Sequence, residues 1–152
     1  MTDTLSRARR SWNMRRIRSK NTRPEQAVRS LLHRAGFRFT VNGPLNRSLP
    51  GKPDLVLPRF KIAVLVHGCF WHRHEDCKYA YMPKSRVEFW KEKFRKNVQR
   101  DREVVTLLKE AGWQPFVVWE CQLKRDTEHV LERFKDMAQK HTNECVESGR
   151  AL

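Results

Sequence analysis

The sequence lacks a long apolar run, a surplus of acidic residues and a regular cysteine pattern. No stretch approaches the ~18–20 consecutive apolar residues of a membrane-spanning helix, so none is expected. The first twenty residues hold seven Lys or Arg and no apolar block, unlike a secretory signal. Four unevenly placed cysteines do not suggest a disulfide framework. They fit a reducing cytosol and a metal site.

The charge of the chain is strongly positive, because 32 Lys and Arg face 17 Asp and Glu, for a formal net charge of +15. Such an excess attracts polyanions, and nucleic acid is the usual one. A length of 152 residues predicts one domain with one sizeable core. We expect a basic N-terminal arm at 1–21, a single domain at 22–140 and a flexible tail at 141–152. Apolar residues in the arm, Trp12 among them, either pack it onto the domain or enter a base stack.

Apolar periodicity and turn residues predict a mixed α/β domain. Thr22 and Glu25 have capping-box spacing and open a helix that Gly36 ends. The further predicted elements are strands at 37–41, 54–58 and 61–66, a long helix at 85–110, a strand at 113–119 and a helix at 127–139. This order is typical of a three-layer architecture, a mixed sheet flanked by helices.

Reactive side chains are densest at 66–77, which holds two cysteines, three histidines and a Phe–Trp pair directly after an apolar strand. The close spacing of the first ligands is that of a zinc site, and a fourth cysteine follows the last predicted strand. The predicted zinc ligands are Cys69, His74, Cys77 and Cys121. His72 is an alternative to His74.

A second group of residues suggests hydrolysis of a phosphodiester. Asp54 opens an apolar strand, and a nuclease that uses Mg²⁺ needs a carboxylate to hold the ion. His67 and His72, left over from the zinc set, can exchange protons with water or a leaving oxygen. Glu25 has two possible roles, helix capping or a place in this site. The pair Phe70–Trp71 belongs either to the core or to a DNA-binding surface.

Five motifs follow one another across roughly Trp12 to Leu123: RSxNMxRIxxKxT, LPGKPDLV, HGCFWHxH, EFWxEKFxKNVxRD and GWxPxxVWEC. Together they resemble the very-short-patch mismatch repair endonucleases of bacteria. The resemblance implies a restriction-endonuclease-like fold and a nick on the 5′ side of the thymine in a T:G mismatch. Such mismatches arise when 5-methylcytosine deaminates within a CC(A/T)GG-type site.

The resemblance also implies catalytic roles. Asp54 and the main-chain carbonyl of Val66 would hold Mg²⁺. His72 would be the general base or part of a water-activating network, with His67 and Glu25 in support. The family commonly has a threonine where this chain has Val66, which keeps the carbonyl and loses the hydroxyl.

The resemblance further implies a structural zinc ion at the four ligands above. The segment HEDC, which leads to Cys77, is one residue longer here than in the family. Met14, Phe70 and Trp71 would form a wedge that enters the base stack beside the mismatch. Lys93 and Asn97, one helical turn apart, would approach the mismatched pair from a groove, where a wobble pair displaces donors and acceptors.

Two other functions compete with the mismatch endonuclease: a restriction-like nuclease with another sequence target, and a zinc-stabilised DNA-binding protein without catalysis. The expected partner is double-stranded DNA with a T:G mismatch. A mismatch-repair accessory protein and a DNA polymerase are expectations from the family. We expect a monomer, because a single-strand nick needs one active site, acting at the nucleoid of the bacterial cytoplasm.

Overall fold

The structure, a computed structural model, describes residues 6–16 and 20–149. Its elements in chain order are α1 Arg7–Arg16, α2 Arg23–Arg34, α3 Pro44–Ser48, β1 Leu55–Leu57, β2 Ile62–His67, α4 Cys69–His72, α5 Val87–Glu110, β3 Gln114–Trp119, α6 Glu120–Arg125 and α7 Thr127–Glu147. A short 3-10 helix at Pro58–Phe60 joins β1 to β2. None of the helices in these ranges has the length and apolar character needed to cross a membrane.

The three strands form one mixed sheet in the order β1-β2-β3. β1 pairs antiparallel with β2 as a hairpin, and Leu55 lies opposite Val64. β2 pairs parallel with β3, and His67 lies opposite Trp119. The parallel pairing brings the carboxyl ends of β2 and β3 to the same edge of the sheet. Residues that follow the two strands are therefore neighbours, although about fifty positions separate them in the sequence.

Helices cover both faces of the sheet, because successive strand residues point to opposite sides. On one face, Leu55, Leu57, Ile62 and Val64 pack with Val28 and Leu32 of α2 and with Val130 and Phe134 of α7. On the other face, Val56, Ala63 and Leu65 pack with Leu108 of α5 and with Trp113. The predicted mixed sheet flanked by helices is confirmed.

α2 begins as the sequence predicts, with a small difference in its cap. The Thr22 hydroxyl accepts a hydrogen bond from the Glu25 N–H at 3.4 Å. The Glu25 carboxylate accepts from the N–H of Asn21, one residue before the cap, at 2.9 Å. The helix ends just before Gly36, whose φ of +93° lies in the left-handed region that favours glycine.

The strand predicted at 37–41 is wrong, because only Thr40 bridges Val56. Asn42 has a φ of +55°, which turns the chain away from the sheet edge. The buried Asn46 side chain then donates to the Thr40 carbonyl at 3.0 Å and holds the turn. The next residues include the short helix α3, which was not predicted from the sequence.

The two ends of the chain contain more helix than their sequences suggested. Arg7–Arg16 form α1 within the predicted arm, consistent with the high helix propensity of arginine. α7 continues to Glu147, so the end predicted for this helix at residue 139 is eight residues too early. Extending an existing helix is easier than starting one, because each added residue gains a hydrogen bond without the cost of nucleation. Ile17, the first five residues and the last three lie outside the described residues.

Candidate active site and metal centre

The four predicted zinc ligands meet beside the carboxyl ends of β2 and β3. One donor atom from each of Cys69, His74, Cys77 and Cys121 lies within 4.8 Å of the other three. The Nδ1 atom of His74 is 3.2 Å from the Cys121 sulfur and 3.7 Å from the Cys69 sulfur. Three thiols and one imidazole are a zinc-type donor set. The cluster could hold a metal ion.

Local geometry explains how one histidine joins this cluster and its near neighbour does not. α4 ends at Arg73, whose φ of +56° reverses the chain and directs His74 back toward Cys69. His74 is held further by its ring, which stacks on Trp119 with centroids 4.3 Å apart. The alternative in which His72 replaces His74 is wrong, because His72 contacts Asp101 instead. The longer HEDC spacing is absorbed by a turn in which Asp76 has a φ of +51°.

A cleft of about 640 Å³ lies next to the metal centre. Its acidic residues are Glu25, Asp54 and Asp101. Its cationic residues are Lys20, Arg29, Arg47, Lys52 and Arg100. A concave site with more positive than negative side chains favours a phosphate-bearing ligand.

Asp54 stands just before β1, and its side chain reaches the neighbouring strand. Its Oδ2 atom accepts a hydrogen bond from the Val66 N–H at 2.7 Å. Burial raises the pKa of Asp54 to about 6, and the Glu25 carboxylate adds to the shift, while the Val66 hydrogen bond opposes it. A half-buried carboxylate beside a second carboxylate is stabilised by a cation, so these residues fit a divalent metal ion.

Two histidine rings from this region stack on each other. The centroids of His67 and His72 are 4.0 Å apart, with an angle of 3° between the ring planes. The Nδ1 atom of His72 is 2.6 Å from Asp101 Oδ2, so the tautomer with its proton on Nδ1 would donate to this carboxylate and would carry its lone pair on Nε2. Burial, followed by the neighbouring His72, lowers the pKa of His67 to about 4. His67 is therefore neutral near pH 7, and its buried Nδ1 has no hydrogen-bond partner in the described part of the chain.

Asp101 is the site residue that sequence reasoning missed. It lies on α5, 29 positions after His72, and no local pattern connects the two. The available signal was its place four residues after Asn97, which puts both side chains on one face of α5. Glu25, in contrast, was named from the sequence; its carboxylate helps to cap α2, and the residue also lines the cleft.

Two of the three predicted wedge residues, Phe70 and Trp71, belong to an aromatic cluster between α4 and α5. Phe70 contacts Trp71, with centroids 5.1 Å apart, and also Phe94 on α5, at 5.2 Å. Phe70 and Trp71 are half-buried. They are therefore neither fully in the core nor fully on the surface, the two alternatives that the sequence left open. The Asn97 amide donates to the Trp71 carbonyl at 3.0 Å, and the Lys93 ammonium lies 5.6 Å from the Trp71 ring.

The remaining wedge residue, Met14, lies on α1 and is 44% exposed. Its neighbour Trp12 is 45% exposed, with the Arg9 guanidinium 4.6 Å from its ring. α1 thus presents apolar and basic side chains together on one short helix.

Comparisons with known proteins agree on one family. The sequence profile described as DNA mismatch endonuclease Vsr matches residues 2–79. The chain is 48% identical over 123 residues to the type II nicking enzyme V.XorIIP of Xanthomonas oryzae pv. oryzae, covering 81% of this chain and 88% of that protein. It is 44% identical over 140 residues to the DNA mismatch endonuclease Vsr of Escherichia coli, covering 90% and 87%. The type II nicking enzyme V.NmeAIP of Neisseria meningitidis is 44% identical, covering 82% and 86%.

Proposed function

Because the chain belongs to the DNA mismatch endonuclease Vsr family, it is a DNA endonuclease, and we propose that it makes a Mg²⁺-dependent nick 5′ of the thymine in T:G mismatches. Mismatches of this kind form when 5-methylcytosine deaminates. The observation that carries the proposal is a single cleft that combines Asp54, the stacked His67–His72 pair and five cationic side chains. One such site is enough for a single-strand nick, so the proposed active form is a monomer.

Asp54 and the main-chain carbonyl of Val66 are the proposed Mg²⁺ ligands. The Val66 N–H fixes the Asp54 carboxylate through their 2.7 Å hydrogen bond, which supports a defined position for the ion. Bound Mg²⁺ would supply positive charge to the phosphate oxygens as negative charge develops on them. The cations that line the cleft would bind the DNA backbone on either side of the scissile bond.

His72 is the proposed general base. Its Nδ1–H donates to Asp101, so its Nε2 lone pair can take a proton from the attacking water. Asp101 then stabilises the imidazolium, because the carboxylate stays within hydrogen-bond distance of the charged ring. His67 stays neutral and stacks on His72, which holds the ring of the base in place. Glu25 contributes negative charge near Asp54 and favours occupation of the metal site.

The other family features are proposed in the same way. The sheet and its flanking helices would form a restriction-endonuclease-like fold. The Cys₃His cluster would hold a structural zinc ion. Met14, Phe70 and Trp71 would form the intercalating wedge, with Lys93 and Asn97 facing the mismatched pair. Repair in the bacterial cytoplasm would involve a mismatch-repair accessory protein and a DNA polymerase.

Replacing His72 by alanine is expected to lower the nicking rate by about 10²–10⁴-fold, the usual contribution of a positioned general base. Asp101→Asn should lower the nicking rate less than His72→Ala does. The imidazole base remains, but it loses the carboxylate that fixes its tautomer and stabilises its protonated form. The nicking rates of both variants are measured under single-turnover conditions, with the protein in saturating excess over the mismatched duplex. His129→Ala, at an exposed position in the first turn of α7, is the matched control. Equal rates for His72→Ala and the wild type would exclude His72 as the base.

The affinity for Mg²⁺ is expected to fall as the pH drops below about 6, the pKa of Asp54. A protonated carboxyl does not bind the ion, so the loss should approach about tenfold per pH unit on the acid side. Above that pKa the carboxylate is ionised, and this dependence should disappear. Calorimetric titration with Mg²⁺ at several pH values around the pKa measures the effect. A dependence that persists unchanged in Asp54→Asn would contradict the assignment.

A plasmid assay separates the proposal from its alternatives. A supercoiled plasmid carrying a T:G mismatch should be converted to the open circle with Mg²⁺, while the matched plasmid stays supercoiled. Cleavage of the matched plasmid would favour a restriction-like nuclease. Retardation of both plasmids without a cut would favour a DNA-binding protein.

A further inference from the structure

Tyr81 is an exposed aromatic residue in contact with the wedge. Its side chain is 63% exposed, and its ring centroid lies 5.0 Å from that of Phe70, with an angle of 41° between the planes. A solvent-exposed aromatic ring does not contribute the favourable free energy that its burial would provide. Together with the half-buried Phe70 and Trp71, it forms a continuous aromatic surface.

The Arg73 guanidinium fixes the loop that carries Tyr81. It donates to the Ala80 carbonyl at 2.7 Å and to the Tyr81 carbonyl at 3.0 Å. It also donates to the Phe70 carbonyl at 3.3 Å and lies 4.0 Å from the ring centroid of Phe94. One side chain thus joins α4, the tyrosine loop and α5. Tyr81 is held beside Phe70 before any ligand binds.

Basic side chains flank this aromatic surface. The Arg86 guanidinium lies 4.4 Å from the ring centroid of Phe89, which is 44% exposed. The Lys93 ammonium lies 5.6 Å from the Trp71 ring and 5.8 Å from the Phe89 ring. Aromatic rings interleaved with cations suit a nucleic acid, because the cations meet phosphates and the rings stack on bases or sugars.

We propose that Tyr81 is a further DNA-contacting residue that sets the preference for distorted duplexes, and that Arg73 positions it against Phe70; this rests on the proposed function. Neither residue was among the wedge residues implied by the family motifs. A ring that is already fixed loses little conformational freedom on binding. A mismatched step opens more easily than a matched one, so stacking against it favours the mismatched duplex.

The test compares duplex binding by Tyr81→Ala, Tyr81→Phe and the wild type, with Ca²⁺ replacing Mg²⁺ to prevent cutting. The duplexes carry a 2-aminopurine beside either a T:G mismatch or the matched pair, so its fluorescence reports unstacking. Tyr81→Ala should lose about tenfold in affinity for the mismatched duplex, the usual effect of removing one stacking ring, and less for the matched one. Tyr81→Phe should keep both the affinity and the fluorescence change, because it keeps the ring.

Tyr79→Ala is the matched control in the same loop. Tyr79 is 36% exposed, and its ring contacts Lys78 and Lys124 rather than the wedge. Arg73→Ala, if its thermal melt matches that of the wild type, should lose as much affinity for the mismatched duplex as Tyr81→Ala does. The double variant should lose no more affinity than either single variant.

The inference is overturned if Tyr81→Ala keeps the full preference for the mismatched duplex, or if Tyr79→Ala loses as much. A wild-type protein that binds both duplexes equally would overturn the proposed function itself, so the two failures are distinguishable.

Discussion

Replacing Asp54 by asparagine is expected to abolish nicking and to leave duplex binding within a few-fold of the wild type. The amide keeps the size of the side chain but loses the negative charge that would hold Mg²⁺. A metal ion supplies several kcal/mol of charge stabilisation in the transition state, so the rate should fall by roughly a thousandfold or more. Single-turnover nicking in Mg²⁺ and binding in Ca²⁺ measure the two quantities separately.

Two features of this experiment make its outcome decisive. The Asp54 pKa of about 6 reflects the energetic penalty of a half-buried negative charge, so Asp54→Asn is not expected to destabilise the fold. The matched control is Asp136→Asn, on the exposed side of α7, which should nick at the wild-type rate. Substantial nicking by Asp54→Asn would remove Asp54 from the metal site and leave the cleft without its main ligand.

Removal of the zinc ion proposed for the Cys₃His cluster is expected to unfold or loosen the chain. Structural zinc contributes on the order of 10 kcal/mol in small zinc domains, comparable to the whole stability of an ordinary domain. The cluster joins the segment after β2 to the segment after β3, through Cys69 and Cys121. Cys121→Ser should therefore lower the melting temperature and release the metal, and a chelator should do the same to the wild type.

Cys145 supplies the control for that prediction. It lies on α7, outside the cluster, and its sulfur is 3.4 Å from the Nε2 atom of His141. Cys145→Ser should keep both the metal content, measured by elemental analysis, and the melting curve. A metal-stripped protein with an unchanged melting curve would contradict a structural role for the ion.

The central part of the fold was predictable from sequence because its patterns are local. The β1–β2 hairpin and the long helix α5 have periodic apolar residues and clear turn signals, and both occur nearly at their predicted bounds. The strand predicted at 37–41 did not form because of the turn that follows it. Its residues have strand-like composition, but the turn at Asn42 allows only a single bridge to the sheet.

The candidate site was partly predictable for the same reason. Three of the candidate metal ligands lie within nine residues of each other, and the parallel pairing of β2 and β3 brings the fourth beside them. Which histidine joins the cysteine cluster depends on the left-handed conformation of Arg73, which no propensity predicts for an arginine. The partnership of His72 with Asp101 depends on how α5 packs against α4, and this is a property of the whole fold.

The most direct test of the proposed function is a strand-specific nicking assay on end-labelled duplexes. One duplex would carry a T:G mismatch in a CT(A/T)GG context and the other the matched pair, each with Mg²⁺ or with a chelator added only at the time of assay. The account predicts one product, cut 5′ of the mismatched thymine, that requires both the mismatch and Mg²⁺. Equal cutting of the matched duplex, or cutting that persists without a divalent ion, would contradict it.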